Sequence, residues 1–534
     1  MEPVIGLILV VLPIILAFVM LVGLHRAADV TGVVVWLVTL GIAVVAFGTD
    51  IGIALTASLA GIIKSFPISL MVASSILMMT YMQETGALQR LIVFFKTLGG
   101  GNRPMQIMLI SLGLGLFLVG IGATPVSMLP PVMLALGFSP LVSVALPSIG
   151  YDPLTTFALL GVPAVVFQGE YAAVSGISLP LWEVGTTFAM YMPIITTMIA
   201  ISMLWIAGGR ELLASKEGLF LAILSGLTAG GIAILSNLAF VNQTTLTNVF
   251  AGTGVMGVLF VYSKIRGRPI LDQSFLNEDD RLIQQSMNLR KASIPWIILV
   301  ALCLITNLIP PVKDLLFTQL TFPVNPPGYP YGIKTRFLWQ AYTLMLIATI
   351  VSIPLLGSDK KTLASTFKKF LKRAPRPVLA AAVFFAMAEV MNFSGFTFAA
   401  DGTWAFPEAN PTNNMIHLLA TSTSSALGIF YPVTASFLGL LAGFISGSET
   451  SAIALFTGYH YQASTMIGAD SLVVSASNGI GGGLASVLSP AKVQNAAAVI
   501  DEIGIEGKVI RYGAIIAILI TGVVAGLTML WAFA

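Results

Sequence analysis

The residues best suited to chemistry lie in Ile445-Ser446-Gly447-Ser448-Glu449-Thr450-Ser451, where one carboxylate sits among glycine and hydroxyl residues inside an otherwise apolar, helix-length segment. Glycine opens a helix, hydroxyls re-satisfy the freed backbone groups, and a carboxylate in hydrocarbon is costly enough to imply that it binds or moves something. The alternative is a glutamate in a loop outside the apolar layer. A second constellation reads Ser475-Ala476-Ser477-Asn478-Gly479-Ile480-Gly481-Gly482-Gly483, then Ser489-Pro490-Ala491-Lys492-Val493-Gln494-Asn495. Glycines let the backbone unwind and bare its N–H groups, and a helix N-terminus attracts a carboxylate through its dipole and free donors. A small anionic substrate suits such a site. Close helix packing through small residues is the competing account. Lys492 is then a counter-charge for the substrate or for Glu449, or a residue snorkelling from a helix end.

Three further acids stand in apolar surroundings. Glu389 and Asn392 are one turn apart and share a helix face, which suits a buried role for Glu389. Glu84 suits an interface. Asp152, in Tyr151-Asp152-Pro153, suits capping of the helix after Pro153, or titration within the site. His417 and His460 are isolated, lack metal-ligand spacing, and read as packed or interfacial residues, so no metal is expected. No nucleophile elbow, Walker loop, Cys/His cluster or HExxH motif occurs, which argues against an enzyme and against a bound cofactor.

The elements that must position these groups are set by composition. Of 534 residues, 57% are hydrophobic and only 9% charged, against about 25% charged in soluble proteins. The chain is therefore an all-α polytopic membrane protein embedded in a lipid bilayer. Apolar runs of spanning length recur from Ile5–Gly23 and Val30–Phe47 to Val378–Val390 and Tyr512–Ala534, which predicts roughly 11 to 14 spans once broken helices are counted. The first run has no basic residue ahead of it and no obvious cleavage site after it, so it is expected to be retained. Cys303 is the sole cysteine, which rules out a disulfide within the chain. The net charge of +3 lies mostly in connections and bears on topology, not on nucleic acid.

Lys and Arg cluster at Arg90–Arg103, Lys264–Lys291 and Lys360–Arg376, which assigns those loops to the cytoplasm, whereas Ala399–Asn414 carries Asp401 and Glu408 without a cation and belongs outside. The N-terminus is expected outside as well. The segment Ile51–Phe66 is short and polar, and a helix lying in the outer interface keeps the charge rule consistent. Its sequence, Leu55-Thr56-Ala57-Ser58-Leu59 leading to Pro67, matches Thr362-Leu363-Ala364-Ser365-Thr366 leading to Pro377. Gly120-Ile121-Gly122-Ala123-Thr124-Pro125 then pairs with Ser446–Ser451, and Pro147–Asp152 with Ser475–Ile480. One of the matched helices falls outside and the other inside, so the halves run in opposite senses. That predicts a first inverted repeat over 1–207, a connecting helix pair and loop over 208–292, and a second repeat over 293–534, with broken helices meeting at the site of a secondary transporter.

These motifs resemble the lactate permease family of proton-coupled monocarboxylate transporters. Gly447-Ser448-Glu449-Thr450-Ser451, Asn478-Gly479-Ile480-Gly481-Gly482 and Ser489-Pro490 follow the order and approximate spacing of the family's Gly-Ser-Asp-Thr-Ser, Asn-Thr-Thr-Gly-Gly and Ser-Pro-Gln elements; a weaker match runs from Thr85-Gly86 to Gly137-Phe138-Ser139-Pro140. The chain departs from the pattern in having Glu449 for Asp, Val119-Gly120 for Glu-Gly, and Ser486 near a common Lys with Lys492 beyond the Ser-Pro. The resemblance implies import of lactate or glycolate with a proton. The expected assignment is thus a symporter of a small hydroxy-monocarboxylate. Glu449 is its proton carrier, with Glu389 and Asp152 as further proton-coupling groups. Ser446, Ser448, Thr450, Ser477, Asn478, Gly481, Gly482, Thr124 and Lys492 bind the substrate. A sodium-coupled carrier of another small organic anion is the alternative within transport, and an anion channel the alternative outside it.

Overall fold

The computed structural model describes residues 3–20, 24, 26–98, 100, 102–330, 332–502 and 504–534. Nearly every element is a helix, because a backbone in hydrocarbon must satisfy its own N–H and C=O groups. Among the described residues, 11 helices are long and apolar enough to cross a membrane. Their outward faces carry Leu37, Val45, Leu227, Leu519 and Leu530, all exposed, whereas Asp152, Glu449, His460 and Asn478 are buried. This is the inverse of a water-soluble surface, and it fits lipid outside and a polar path within.

Two small antiparallel hairpins are the strands described: β1 (Phe322–Val324) with β2 (Ile333–Thr335), and β3 (Thr397–Phe398) with β4 (Trp404–Ala405). The β1 hairpin follows a helix, Ile294–Leu308, that bends by 90° into Pro310–Gln319. Ile53, Tyr329, Phe393 and Trp404 pack in one cluster, so both hairpins cap the same end of the bundle. Within 208–292 the chain forms two long helices, Lys216–Ser236 and Thr247–Ile265.

The segment after Asp50 corrects the interfacial expectation. The Lys64 helix (Ile51–Lys64) lies lengthwise along the Glu389 helix (Pro375–Asn392), not flat across the bundle end. The Asp50 amide donates to Phe396 O at 3.1 Å, while a side chain at Gly61 would collide with the Phe385 carbonyl and Ala386. Advance along one helix therefore means retreat along the other, which makes the pair antiparallel. The polar residues that suggest an interface are spent on neighbours: Trp36 Nε1 donates to Ser58 Oγ at 2.9 Å. After Ser65 the chain continues through the 19-residue helix Phe66–Glu84, which ends where Glu84 meets Lys369. Lys64 and Lys369 thus lie at opposite ends of a helix roughly 28 Å long.

Candidate functional site

The break expected around Gly447 is present and each residue of it has a local task. The helix Tyr431–Ser446 stops where Gly447 adopts φ +68°, a left-handed turn open to glycine without strain. Ser448 is extended and caps the next helix by accepting from the Ser451 amide at 3.4 Å. Ser446 Oγ donates to Ala442 O at 2.8 Å and accepts from Ser448 N at 3.2 Å, so this hydroxyl is engaged on its own break. Glu449 becomes the first residue of the Glu449 helix (Glu449–Met466) and is only 5% exposed. It does not stand in an external loop.

What holds Glu449 comes from the other half of the chain. Thr156 Oγ1 donates to Glu449 Oε1 at 2.5 Å. Thr155 Oγ1, which donates to Asp152 O at 3.1 Å, stands beside the second oxygen, Oε2. Oε2 lies over Gly483, where a Cβ would stand 2.8 Å from it and collide with Thr155 Oγ1, so only glycine leaves the space. Thr155 and Thr156 belong to a 3-10 turn, Asp152–Phe157, and the chain beyond it places Leu159, Leu160 and Gly161 in left-handed backbone at φ 56°, 60° and 72°. For the two leucines that conformation costs about 1–2 kcal/mol each. It is retained because Leu159 and Val162 pack with Ile68, Phe385 and Ala454. Strain of this kind concentrates at functional sites.

Asp152 answers from the opposite direction. Buried at 2% exposure, it accepts from the Val487 amide through Oδ2 at 3.3 Å, and Oδ1 has no donor. It therefore does not cap the helix after Pro153; its carboxylate reaches the 3-10 turn Ser486–Leu488 that ends the glycine-rich helix (Ser471–Leu484). Lys492 donates to Ser486 Oγ at 2.9 Å and lies 5.6 Å from the centre of the Tyr151 ring. It faces inward, toward Asp152 and Glu449, and so does not snorkel. Glu449, Asp152 and Lys492 are brought within electrostatic reach of one another.

The glycine-rich helix corrects another expectation. It runs unbroken from Ser471 to Leu484, and its glycines serve contact: side chains at Gly481 or Gly439 would collide with Ser436 O and Asn478 O, respectively. The backbone at Gly481 and Gly482 is thus closed within a helix, and the interruption falls at Ala485–Ser489 instead. Asn478 Nδ2 donates to Ala452 O at 3.1 Å and its amide also faces the His460 ring, while the hydroxyls of Ser451 and Ser475 are buried without partners. Ser477 Oγ donates to Val474 O at 2.8 Å, and Thr450 is buried beside Glu449. Thr124 precedes the helix Pro125–Ala135 in a matching break at Gly122 (φ +89°), whose carbonyl accepts from Ser75 Oγ at 3.1 Å. His460 is fully buried, with Nδ1 2.7 Å from Tyr431 OH.

Glu389 belongs elsewhere. Its Oε1 lies 2.7 Å from Lys64 Nζ, its Oε2 accepts from Tyr329 OH at 2.7 Å, and Glu170 Oε2 completes the cluster 3.1 Å from Lys64. Sequence reasoning misses Glu170, although a charged residue in the run Val162–Val174 is a signal. A cavity of about 510 Å³ opens beside Lys64 and Glu170, between the Glu170 helix (Ala158–Ser175) and the β1–β2 hairpin; Glu449 does not line it. Glu84 pairs with Lys369 and Ser365, both at 2.5 Å, at the far end of its helix. Among the described residues no group of three or more His, Cys, Asp or Glu is arranged to hold a metal.

Comparison with known proteins gives matches over nearly the whole chain. Residues 6–533 match the family described as L-lactate permease. The L-lactate permease of Streptococcus iniae is 24% identical over 467 residues, covering 84% of this chain and 89% of its own. The glycolate permease GlcA of Escherichia coli K12 is 22% identical over 571 residues, covering 98% and 95%, and the L-lactate permease of the same strain is 24% identical, covering 81% and 78%. With the match running almost from end to end, the chain belongs to the L-lactate permease family.

Proposed function

We propose that the protein is a secondary transporter carrying a small hydroxy-monocarboxylate, lactate or glycolate, across the cytoplasmic membrane together with a proton. The observation that carries this proposal is Glu449: a buried carboxylate at a helix break, held by hydroxyls of the other half, Thr156 on one oxygen and Thr155 beside the other. A group so placed changes its affinity for a proton when alternating access changes its surroundings. Asp152 lies within its electrostatic reach and assists, with Lys492 balancing charge. Ser448, Thr450, Ser477, Asn478 and the N-terminus of the Glu449 helix bind the carboxylate; Ser446 shapes the break. Glu389 takes part in coupling through the Lys64 cluster, and Thr124 serves at the matching break of the first half.

Two inverted repeats, 1–207 and 293–534 joined by 208–292, are the frame of this proposal. The support is an exchange of contacts. The helix Ala158–Ser175 packs on Glu449–Met466 as Pro490–Val499 packs on Pro125–Ala135, and the turn Asp152–Phe157 packs on Ser471–Leu484 as Ser486–Leu488 packs on Pro140–Ile149. A two-fold relation between halves produces this pattern. Basic loops at the Lys369 end belong in the cytoplasm, with the hairpins and the N-terminus outside.

In proteoliposomes, an inward proton gradient is expected to drive accumulation of labelled L-lactate. Glu449→Gln is expected to lose accumulation while retaining exchange. Normal proton-driven accumulation by Glu449→Gln would sink the assignment. Sodium coupling is the second reading, favoured by the buried side-chain oxygens of Asp152, Glu449 and Asn478. Uptake that requires sodium at fixed pH identifies it.

A further inference from the structure

The 510 Å³ cavity beside Lys64 falls within the roughly 300–1,000 Å³ of small-molecule sites. Its charged lining consists of Lys64, Lys334, Arg336 and Glu170. Glu389 stands directly behind Lys64. Three cations face two carboxylates, so one positive charge is left uncompensated. Phe317, Ile333 and Phe337 supply apolar wall, and Gln340 borders the cavity with its Oε1 buried and without a donor.

The charged groups differ in how firmly they are held. Glu389 is fixed by Lys64 at 2.7 Å, by Tyr329 OH at 2.7 Å and by Asn392 Nδ2 at 3.4 Å. Glu170 has only its 3.1 Å contact with Lys64, and it lines the cavity. Arg336 donates through Nε to Phe317 O at 2.9 Å and lies over the Phe317 ring at 4.2 Å, leaving its terminal nitrogens without a protein acceptor among the described residues. Planar guanidinium groups with free N–H donors match carboxylates in two-point contact.

We infer that this cavity is a second carboxylate site, an entry vestibule in which Arg336 and Lys64 hold the substrate's carboxylate, which takes the place of Glu170 as the second partner of Lys64. The inference rests on reading the chain as a monocarboxylate carrier and adds a place where the substrate waits before it reaches Glu449. The single excess positive charge matches a monovalent acid. A dicarboxylate brings one negative charge too many and binds more weakly. The short apolar wall takes the body of a two- or three-carbon acid.

The test is substrate protection of a cysteine in the vestibule. Ser178 is exposed and lines the cavity; Ser178→Cys is made on a Cys303→Ala background in the full-length purified protein. Its labelling by a neutral, water-soluble maleimide is timed with and without L-lactate, glycolate or sodium chloride, and counterflow of labelled L-lactate is measured on the same protein in liposomes. The acids are expected to slow labelling about tenfold at roughly ten times their dissociation constant, and sodium chloride to leave it unchanged. Protection is expected to persist in Glu449→Gln, to weaken about tenfold in affinity in Arg336→Gln, and to be restored only in part by Arg336→Lys, which keeps the charge and loses the two-point contact. Protection that disappears in Glu449→Gln would mean that closure from the deeper site shields the introduced thiol and would overturn the vestibule, as would equal protection by chloride. Counterflow without protection overturns the vestibule and leaves the carrier standing. Protection without counterflow supports the vestibule and removes the carrier, and loss of both removes both.

Discussion

Thr156, in a 3-10 turn of the first half of the chain, donates a 2.5 Å hydrogen bond to Glu449, the first residue of a helix in the second half. Asp152, four residues earlier, accepts from Val487 in the turn that ends the glycine-rich helix. Each half thus grips the other by a turn at a helix break. Both polar contacts sit within the packing of Ala158–Ser175 on Glu449–Met466 and of Asp152–Phe157 on Ser471–Leu484.

Removing the Thr156 hydroxyl tests that joint. Thr156→Val keeps the shape of the side chain and leaves Glu449 Oε1 without its donor, whereas Thr156→Ser keeps it. A hydrogen bond to a charged group contributes about 1.5–3 kcal/mol. Proton-driven lactate accumulation is expected to fall about tenfold or more in the valine variant and to be retained in the serine variant. Equal accumulation by both would detach Thr156 from coupling.

Gly483 and Gly522 make a matched pair for stability. A methyl group at Gly483 meets Thr155 Oγ1 and Glu449 Oε2, whereas one at Gly522 meets nothing within 4 Å. Gly483→Ala is expected to destabilise by about 1–3 kcal/mol through overpacking and to lose transport. Gly522→Ala is expected to be neutral, or stabilising by up to about 1 kcal/mol through helix propensity. Thermal unfolding of the two purified variants checks the contrast.

Lys64 is the only cation bonded to Glu170 and Glu389 among the described residues. Lys64→Met leaves two carboxylates facing each other, and breaking a buried ion pair in this way costs about 3–5 kcal/mol. The triple variant Lys64→Met, Glu170→Gln, Glu389→Gln is expected to recover most of that loss. If the single variant melts like the parent, the cluster carries no structural weight.

How far the sequence reveals this site depends on whether the signal is local. The turn at Gly447 is legible because glycine, hydroxyls and a carboxylate in an apolar run have few other uses. The pairing of Lys64 with Glu170 and Glu389 is not, since the partners stand 106 and 325 residues away and nothing near any of them marks the others. Gly481 and Gly482 mislead because a glycine that opens a helix and one that lets two helices touch are the same residue type. Asp152 misleads similarly: next to Pro153 it looks like a cap, yet its hydrogen-bonded partner is Val487. For Ile51–Lys64, length and polarity suggest an interfacial helix, and only the contact of Gly61 with the middle of Pro375–Asn392 reveals the insertion.

The side of the membrane proposed for each end of the helix Pro375–Asn392 has a direct test in labelling. Asp401 and Lys369 are exposed residues, one beside the β3–β4 hairpin and the other in the basic helix Lys360–Arg373. On a Cys303→Ala background, single cysteines at these positions are expected to react with an impermeant thiol reagent from outside at position 401 and from inside at 369. Labelling of both from one side in intact cells would remove the topology.

Lys492 gives the sharpest separation of roles, because its ammonium stands between two needs. It donates to Ser486 and faces Asp152, whose Oδ1 has no donor, and it also faces Glu449 across the same polar centre. If it pairs with the substrate's carboxylate, Lys492→Met is expected to weaken lactate binding by about 2–5 kcal/mol, the range for truncating one partner of a buried charge pair. If it only balances Asp152, the same variant loses stability instead, and adding Asp152→Asn restores it by removing the uncompensated charge. The double variant separates the two cases. Measured by calorimetric titration with L-lactate and by thermal unfolding, it is expected to recover the melting temperature of the parent while still binding lactate weakly. Recovery of both affinity and stability would make Lys492 a partner of Asp152 alone and would take it out of the substrate site.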